Sequence, residues 1–336
     1  MPDWKIFDGR GRQHDRLTQL PPPPPWRFSR DWRPIEKSVL PTQRHKVSAW
    51  DAEEARARAF QPTPEMIQAV NTALYLRRPL LITGKPGTGK STLISKVAHE
   101  LLLGDVLRWP INSRSTVRSG VYEYDAIGRL QAGTGAPPPV ESYLVLGPLG
   151  TAIAASGRPR ALLVDEIDKS DLDFANDLLN VIEEGTFDIP ELQRIGQDVA
   201  TVRNAEGNIV EIRAGRLQVE HFPVVVMTSN AERDFPAAFL RRCVRLDVLP
   251  PDRTQLEAIV RSQLRSYKAR VDEHAISVLI DRFLEASTAG DLSTDQLLNA
   301  IFLTVSVPGM RGKTLDTAEQ EELVAALLRP ITGSDS

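Results

Sequence analysis

The chain of 336 residues is long enough for a sizeable core and for two domains. Hydrophobic content of 41 % and charged content of 25 % are ordinary for a water-soluble protein, and a net charge of −3 argues against constitutive nucleic-acid binding. A single cysteine, Cys243, excludes an internal disulfide. With no CxxC pair, no apolar run of about 18 residues and no basic-then-apolar start, zinc, a spanning helix and a signal peptide are not expected, and the expected location is the cytoplasm.

Residues 1–51 differ from the rest. The first fifty hold ten Lys/Arg against five Asp/Glu, four of the five tryptophans (Trp4, Trp26, Trp32, Trp50) and the run "LPPPPPWR", a stiff polyproline II segment. Proline-rich composition alone suits a solvated tail. The tryptophans favour an arm that docks on the folded core or on a neighbour, because a solvated tail has little use for them. "DAEEARARAF" (51–60) and "TPEMIQAVNTALYLRR" (63–78) follow as helices, the second with Thr63 as N-cap and Pro64 at the first helical position. "PLLITG" (79–84) is a buried strand that enters a glycine-rich loop, and "TLISKVAHELLLG" (92–104) is an amphipathic helix. "VLRWPI" (106–111), "RALLVDE" (160–166), "PVVVMTSN" (223–230) and "VRLDVLPP" (244–251) read as further strands, with "DFANDLLNVIEEG" (173–185) a helix among them.

Strand alternating with helix predicts an α/β core with a parallel sheet over 52–249, and residues 252–330 read as a helical second domain before a short tail, 331–336. Two stretches, 112–148 and 186–222, are too long for βα loops, which run about 2–6 residues. The second contains the alternating "IVEIRAGRLQVEHF", a β-hairpin pattern. Insertions of this length on a compact scaffold usually carry contacts to a substrate or partner.

"GKPGTGKS" (84–91) satisfies G-x-x-x-x-G-K-[ST] between a strand and a helix, the setting that a phosphate-binding loop requires. Gly84, Lys85, Pro86, Gly87, Thr88, Gly89, Lys90, Ser91 and Thr92 are the expected ATP contacts. Lys90 is placed on the β- and γ-phosphates and Ser91 on Mg²⁺. "ALLVDE" supplies the partner, an apolar strand that ends on two carboxylates: Asp165 for Mg²⁺ and Glu166 as the general base for the attacking water.

These motifs, with "TSN" at the end of a later strand, an arginine at a helix end and a helical tail, resemble the AAA+ ATPases. "YLVLGPLGTAI" and "NDLLNVIEEGTFDI" are similar to the MoxR group, which carries an insertion in the second helix and a hairpin before the sensor strand. The resemblance spans about residues 55–305. It implies a P-loop αβα core with a helical lid, Mg-ATP as ligand, and a ring, usually a hexamer, that remodels a protein client in a chaperone-like way. It also implies a partner with a von Willebrand factor A domain; from net charge and the lack of a long apolar run, neither nucleic acid nor a membrane is an expected partner. "VYEYDAIGRL", "DEIDKSDLDFANDLLN" and "SNAERDFPAAFLRRC" are similar to variants from bacterial conflict-type systems beside such partners.

By the same resemblance Asn230 takes the sensor-1 position, and Arg242 is the finger inserted into the next subunit's active site, with Arg241 next in line. Asn112 is either a turn residue or a partner that restrains Glu166. The family's sensor-2 arginine is missing: "DLSTDQLLNAI" (291–301) has Ser293 as N-cap and Asp295 where the arginine is expected, so either the lid does not sense the γ-phosphate this way or another basic group, Arg311 or a neighbour's residue, substitutes. Two rivals remain: a GTP- or ATP-driven motor linked to nucleic acid, whose signature places Asn-Thr-Ala-Asp where this chain has "TSNAERDF", and a nucleotide-held scaffold with little turnover.

Overall fold

The computed structural model describes residues 4–27, 33–37, 57, 60–131, 138–264, 273–289, 292–306, 322, 324 and 326–328. The expected helix over 51–60 lies almost wholly outside them, as do Trp32, Trp50 and Arg311. In chain order the first elements are α1 (Pro64–Leu76), β1 (Leu80–Thr83), α2 (Lys90–Glu100), β2 (Leu107–Pro110), α3 (Val117–Val121), β3 (Tyr122–Tyr124), α4 (Ala126–Gln131) and β4 (Leu144–Leu146). Then come α5 (Pro148–Ile153), β5 (Ala161–Asp165), α6 (Leu172–Glu184), β6 (Thr186–Asp188), α7 (Pro190–Gln193), β7 (Val199–Arg203), β8 (Ile209–Arg213) and β9 (Arg216–Gln218). Finally β10 (Val224–Ser229), α8 (Ala237–Leu240) and β11 (Val244–Asp247) precede the helices α9 (Arg253–Leu264), α10 (Glu273–Ala289) and α11 (Thr294–Ser306). Among the described residues no helix is long and apolar enough to cross a membrane.

The chain divides into two compact units, residues 1–83 with 91–246, and residues 84–90 with 247–336. The first is built on a five-stranded sheet of order β11-β1-β10-β5-β2, in which the β1–β10, β10–β5 and β5–β2 pairs are parallel. Leu80–Ile82, Ala161–Val164 and Val225–Ser229 are buried throughout, as strands covered on both faces must be. The expected local signals hold where they are short-range. Thr63 Oγ1 accepts from Met66 N with Pro64 at the first helical position, and Gly185 closes α6 in the left-handed region at φ 64°.

The two insertions are not separate excursions. Strands β3 and β4 of the first and β6–β9 of the second join into one six-stranded sheet of order β3-β4-β7-β8-β9-β6. The junction is a parallel pairing of Val145 with Arg203. The hairpin expected at 209–222 is present as β8–β9, but the longer ladder of β8 is with β7, five pairs from Val199↔Arg213 to Arg203↔Ile209. Alternation explains the orientation: Ala200, Val202, Ile212 and Leu217 point into the same core as Leu162 and Val164.

Residues 4–27 pack on the first unit. Phe7 and Leu17 are fully buried. Asn71 of α1, also fully buried, accepts from Ile6 N (2.7 Å) and Phe7 N (3.0 Å) and donates to Phe7 O (2.7 Å). The buried carboxylate of Glu100 at the end of α2 accepts from the backbone N–H groups of Asp8, Gly9 and Gly11. Asn71→Ala leaves two buried backbone donors of the arm unsatisfied. It is expected to destabilise the protein by at least about 1–3 kcal/mol in urea melts, and to open residues 4–27 to protease.

The second unit has its own core of Leu256, Val260, Leu279, Ile280, Phe283, Leu297 and Ile301, drawn from α9, α10 and α11. Helix α11 begins with a reciprocal cap: Gln296 N donates to Ser293 Oγ (3.4 Å) and Ser293 N to Gln296 Oε1 (2.8 Å).

Candidate functional site

The phosphate-loop motif straddles the two units. Gly84–Lys90 belongs to the second and Ser91 to the first. The loop can turn as it does because Gly84, Gly87 and Gly89 have φ of 152°, 76° and 83°. Space reinforces this: a Cβ on Gly84 would lie 2.4 Å from Val248 O, and one on Gly87 2.7 Å from Thr294 N. Inside the loop Lys90 Nζ donates to Gly84 O (2.5 Å) and Lys85 O (2.9 Å), and Thr88 Oγ1 donates to Lys85 O (2.9 Å). Lys85, Pro86 and Gly87 are exposed, and Thr92 is half-buried in the first turn of α2.

In the first unit, parallel pairing sets Val164 of β5 against Met227 of β10, so the two strands end side by side. Thr228 Oγ1, just past that pair, donates to Asp165 Oδ1 (2.5 Å) and accepts from Glu166 N (2.9 Å). Ser91 Oγ donates to the same Asp165 oxygen at 3.1 Å. Glu166 turns off the strand in the left-handed region at φ 59°, a conformation costing about 1–3 kcal/mol for a residue with a Cβ. Its Oε1 accepts from Asn230 Nδ2 (3.4 Å) and its Oε2 from Lys169 Nζ (2.5 Å). The hydrogen bond and charge of Glu166 raise the Lys169 pKa. Buried Asp168 holds the loop after β10 by accepting from Asn230 N (2.9 Å) and Glu232 N (3.2 Å). Ser91, Asp165, Glu166 and Asn230 therefore belong to one hydrogen-bonded cluster at the carboxyl ends of adjacent parallel strands, where open α/β sheets bind ligands.

Residues 79–243, from the first strand of the parallel sheet to the cysteine after α8, match the family described as AAA domain (dynein-related subfamily). This segment has the AAA+ fold. The chain is also similar to domain III of the Thermotoga maritima replication initiation protein DnaA, at 16 % identity and a TM-score of 0.44, covering 82 % of this chain and 98 % of that one. No curated protein matches it in sequence.

Within the AAA+ domain, Arg242 follows the four-residue α8, and its guanidinium lies on α6. Nε donates to Glu183 Oε2 (2.8 Å), and Nη2 donates to that oxygen and to Asn180 Oδ1 (2.8 Å). Arg241 is exposed, and its side chain takes no hydrogen bond or ion pair among the described residues. Cys243 is buried, and burial pushes its thiol up to about 12, so it is an inert apolar filler rather than a nucleophile. Asn112 Oδ1 accepts from Arg114 N (2.9 Å), as in a turn, and the side chains bonded to the Glu166 carboxylate are those of Lys169 and Asn230.

In the second unit, the start of α11 packs on the phosphate loop through Ser293 and Thr294 against Gly87, with Asp295 in the first turn. A Cβ on Gly87 would also lie 2.9 Å from Ser293 Cα, so backbone abuts backbone there. Sequence reasoning missed Thr228, Asp168 and Lys169. The available signal was their place in motifs already singled out, "TSN" and "DEIDK"; their contacts depend on which strands are neighbours.

Proposed function

We propose that this chain is an ATP-hydrolysing AAA+ protein of MoxR type. In this reading it works as a ring, hexameric as is usual for that group, and remodels a protein client together with a partner carrying a von Willebrand factor A domain. The observation that supports it is the cluster at the ends of β5 and β10, which brings a magnesium-type donor pair, a carboxylate and an amide together.

Ser91 and Asp165 would hold Mg²⁺: a hydroxyl and a carboxylate in contact are hard oxygen donors of the kind that ion takes alongside phosphate oxygens. Bound magnesium supplies charge neutralisation at the phosphates. Lys90, the residue before Ser91, adds a point charge to the phosphates once it leaves the loop carbonyls. Glu166 takes the proton of the attacking water, and Asn230, already on its Oε1, aligns that water or the γ-phosphate. Lys169 neutralises Glu166 in the meantime. Arg242 serves the site of the next subunit. The helices after residue 252 act as the lid, and the six-stranded sheet, with Val145, Val199 and Ile209 exposed on it, passes motion to the client.

Competition between ATP and GTP for the purified full-length chain tests this reading against the nucleic-acid motor. ATP is expected to be the preferred nucleotide; a clear preference for GTP overturns the proposal.

A further inference from the structure

Glu183, in the last turn of α6, sits between two arginines from distant parts of the chain. Its Oε2 holds Arg242, and its Oε1 meets Nη1 of Arg27 at 2.8 Å. Arg27 is the last residue described in the docked N-terminal segment and is only 7 % exposed. Asn180, one helical turn before Glu183, adds its side-chain oxygen to the same Arg242 nitrogen. These bonds occupy only the Nε/Nη2 edge of the Arg242 fork. Nη1, with two further N–H groups, takes no hydrogen bond among the described residues.

We propose that Glu183 and Asn180 are positioning residues for Arg242, and that Arg27 extends this support to the N-terminal segment, so the docked arm governs how well one subunit's finger serves its neighbour. The proposal rests on reading Arg242 as a finger that acts on the adjacent subunit. A finger needs a defined direction and a free edge. Bonding along Nε and Nη2 supplies the direction, and Nη1 is the free edge. A carboxylate bound only by Arg242 could swing with it. A second arginine on the other oxygen fixes the carboxylate, and through it the fork. The arm is anchored independently by Asn71 and Glu100, so Arg27 can be changed without releasing it.

Burial pushes the Glu183 carboxyl up, but the two arginines outweigh it and hold it below the ordinary value. The link is therefore intact at neutral pH. Its contribution is fully present above the ordinary carboxylate range and is lost as pH falls through the depressed value.

The test is steady-state ATP turnover by the full-length chain. Glu183→Gln is expected to lower kcat by about 10- to 100-fold, the scale of a small misplacement of a catalytic group, with KM for ATP and assembly size unchanged and a lower melting temperature, because buried Arg27 loses its carboxylate. Arg27→Ala should lower kcat less, and Arg27→Lys should recover part of that loss. Glu183→Gln subunits retain a sound Glu166, while Glu166→Gln subunits retain a supported Arg242. Mixing the two should therefore restore turnover at interfaces that combine both. A Glu183→Gln protein with unchanged kcat, while Arg242→Ala is inactive, overturns the positioning role. So does a loss that mixing does not restore, because that marks a defect within the subunit. Unchanged kcat in Arg27→Ala overturns the share given to the arm. Normal turnover in Arg242→Ala instead overturns the finger reading underneath.

Discussion

Arg242→Ala is expected to lower ATP turnover by roughly 10³- to 10⁵-fold while leaving nucleotide binding intact, the range in which a trans-acting arginine contributes. That is about 4–7 kcal/mol of transition-state stabilisation. The competing account is helix-end electrostatics, which offers at most about 2 kcal/mol even in favourable, partly buried geometry. Helix α8 has four residues, and the Arg242 guanidinium turns away to Glu183 and Asn180. Loss of the side chain should be tolerated by the fold, since Glu183 keeps Arg27 as a partner. Thermal melts and nucleotide-binding titrations of the variant should therefore lie close to those of the parent. Normal hydrolysis would move the assignment to Arg241, whose exposed side chain has no partner among the described residues.

Glu166→Gln is the second large effect. The amide keeps the shape of the side chain and the approach of Asn230, but it cannot accept the proton of the attacking water. Turnover should fall about 10²- to 10⁴-fold with ATP still bound, and the trapped nucleotide should stabilise the assembly by mass action. The lost pairing with Lys169 costs little, because both side chains are about 40 % exposed. Single-turnover hydrolysis and the size of the assembly in ATP measure the two consequences. An inert scaffold, the reading suggested by Asp295 in the sensor-2 position, would change in neither.

How much of this was legible along the chain depended on distance in sequence. The phosphate loop is eight consecutive residues whose φ angles and anion-binding chemistry follow from their own composition, so "GKPGTGKS" could be read directly. The same holds for the Thr63 cap of α1, the Gly185 end of α6 and the buried strand runs. Asp165 and Glu166 could be placed at a strand end, but not their contacts. These depend on β10 lying beside β5, and no local pattern states that order. Thr228 and Asp168 were passed over for this reason: each becomes visible only when the two strand ends are adjacent.

The insertions show the same boundary. Their length and the alternation in 209–218 announced β-structure, whereas the joining of both into one sheet rests on a single pairing between Val145 and Arg203. The tryptophans suggest an arm that docks, yet Trp4 and Trp26 are exposed, and the segment is held instead by buried Phe7 and Leu17 and by Asn71 and Glu100, isolated polar residues within helical patterns. Composition and short-range spacing determined the elements, the nucleotide motifs and the α/β class, because those follow from interactions within about one turn or one strand. Only tertiary structure decided that Arg27, Glu183 and Arg242 share one carboxylate. Long-range ion pairs are selected by packing after the elements have formed, and they leave no periodicity in the chain.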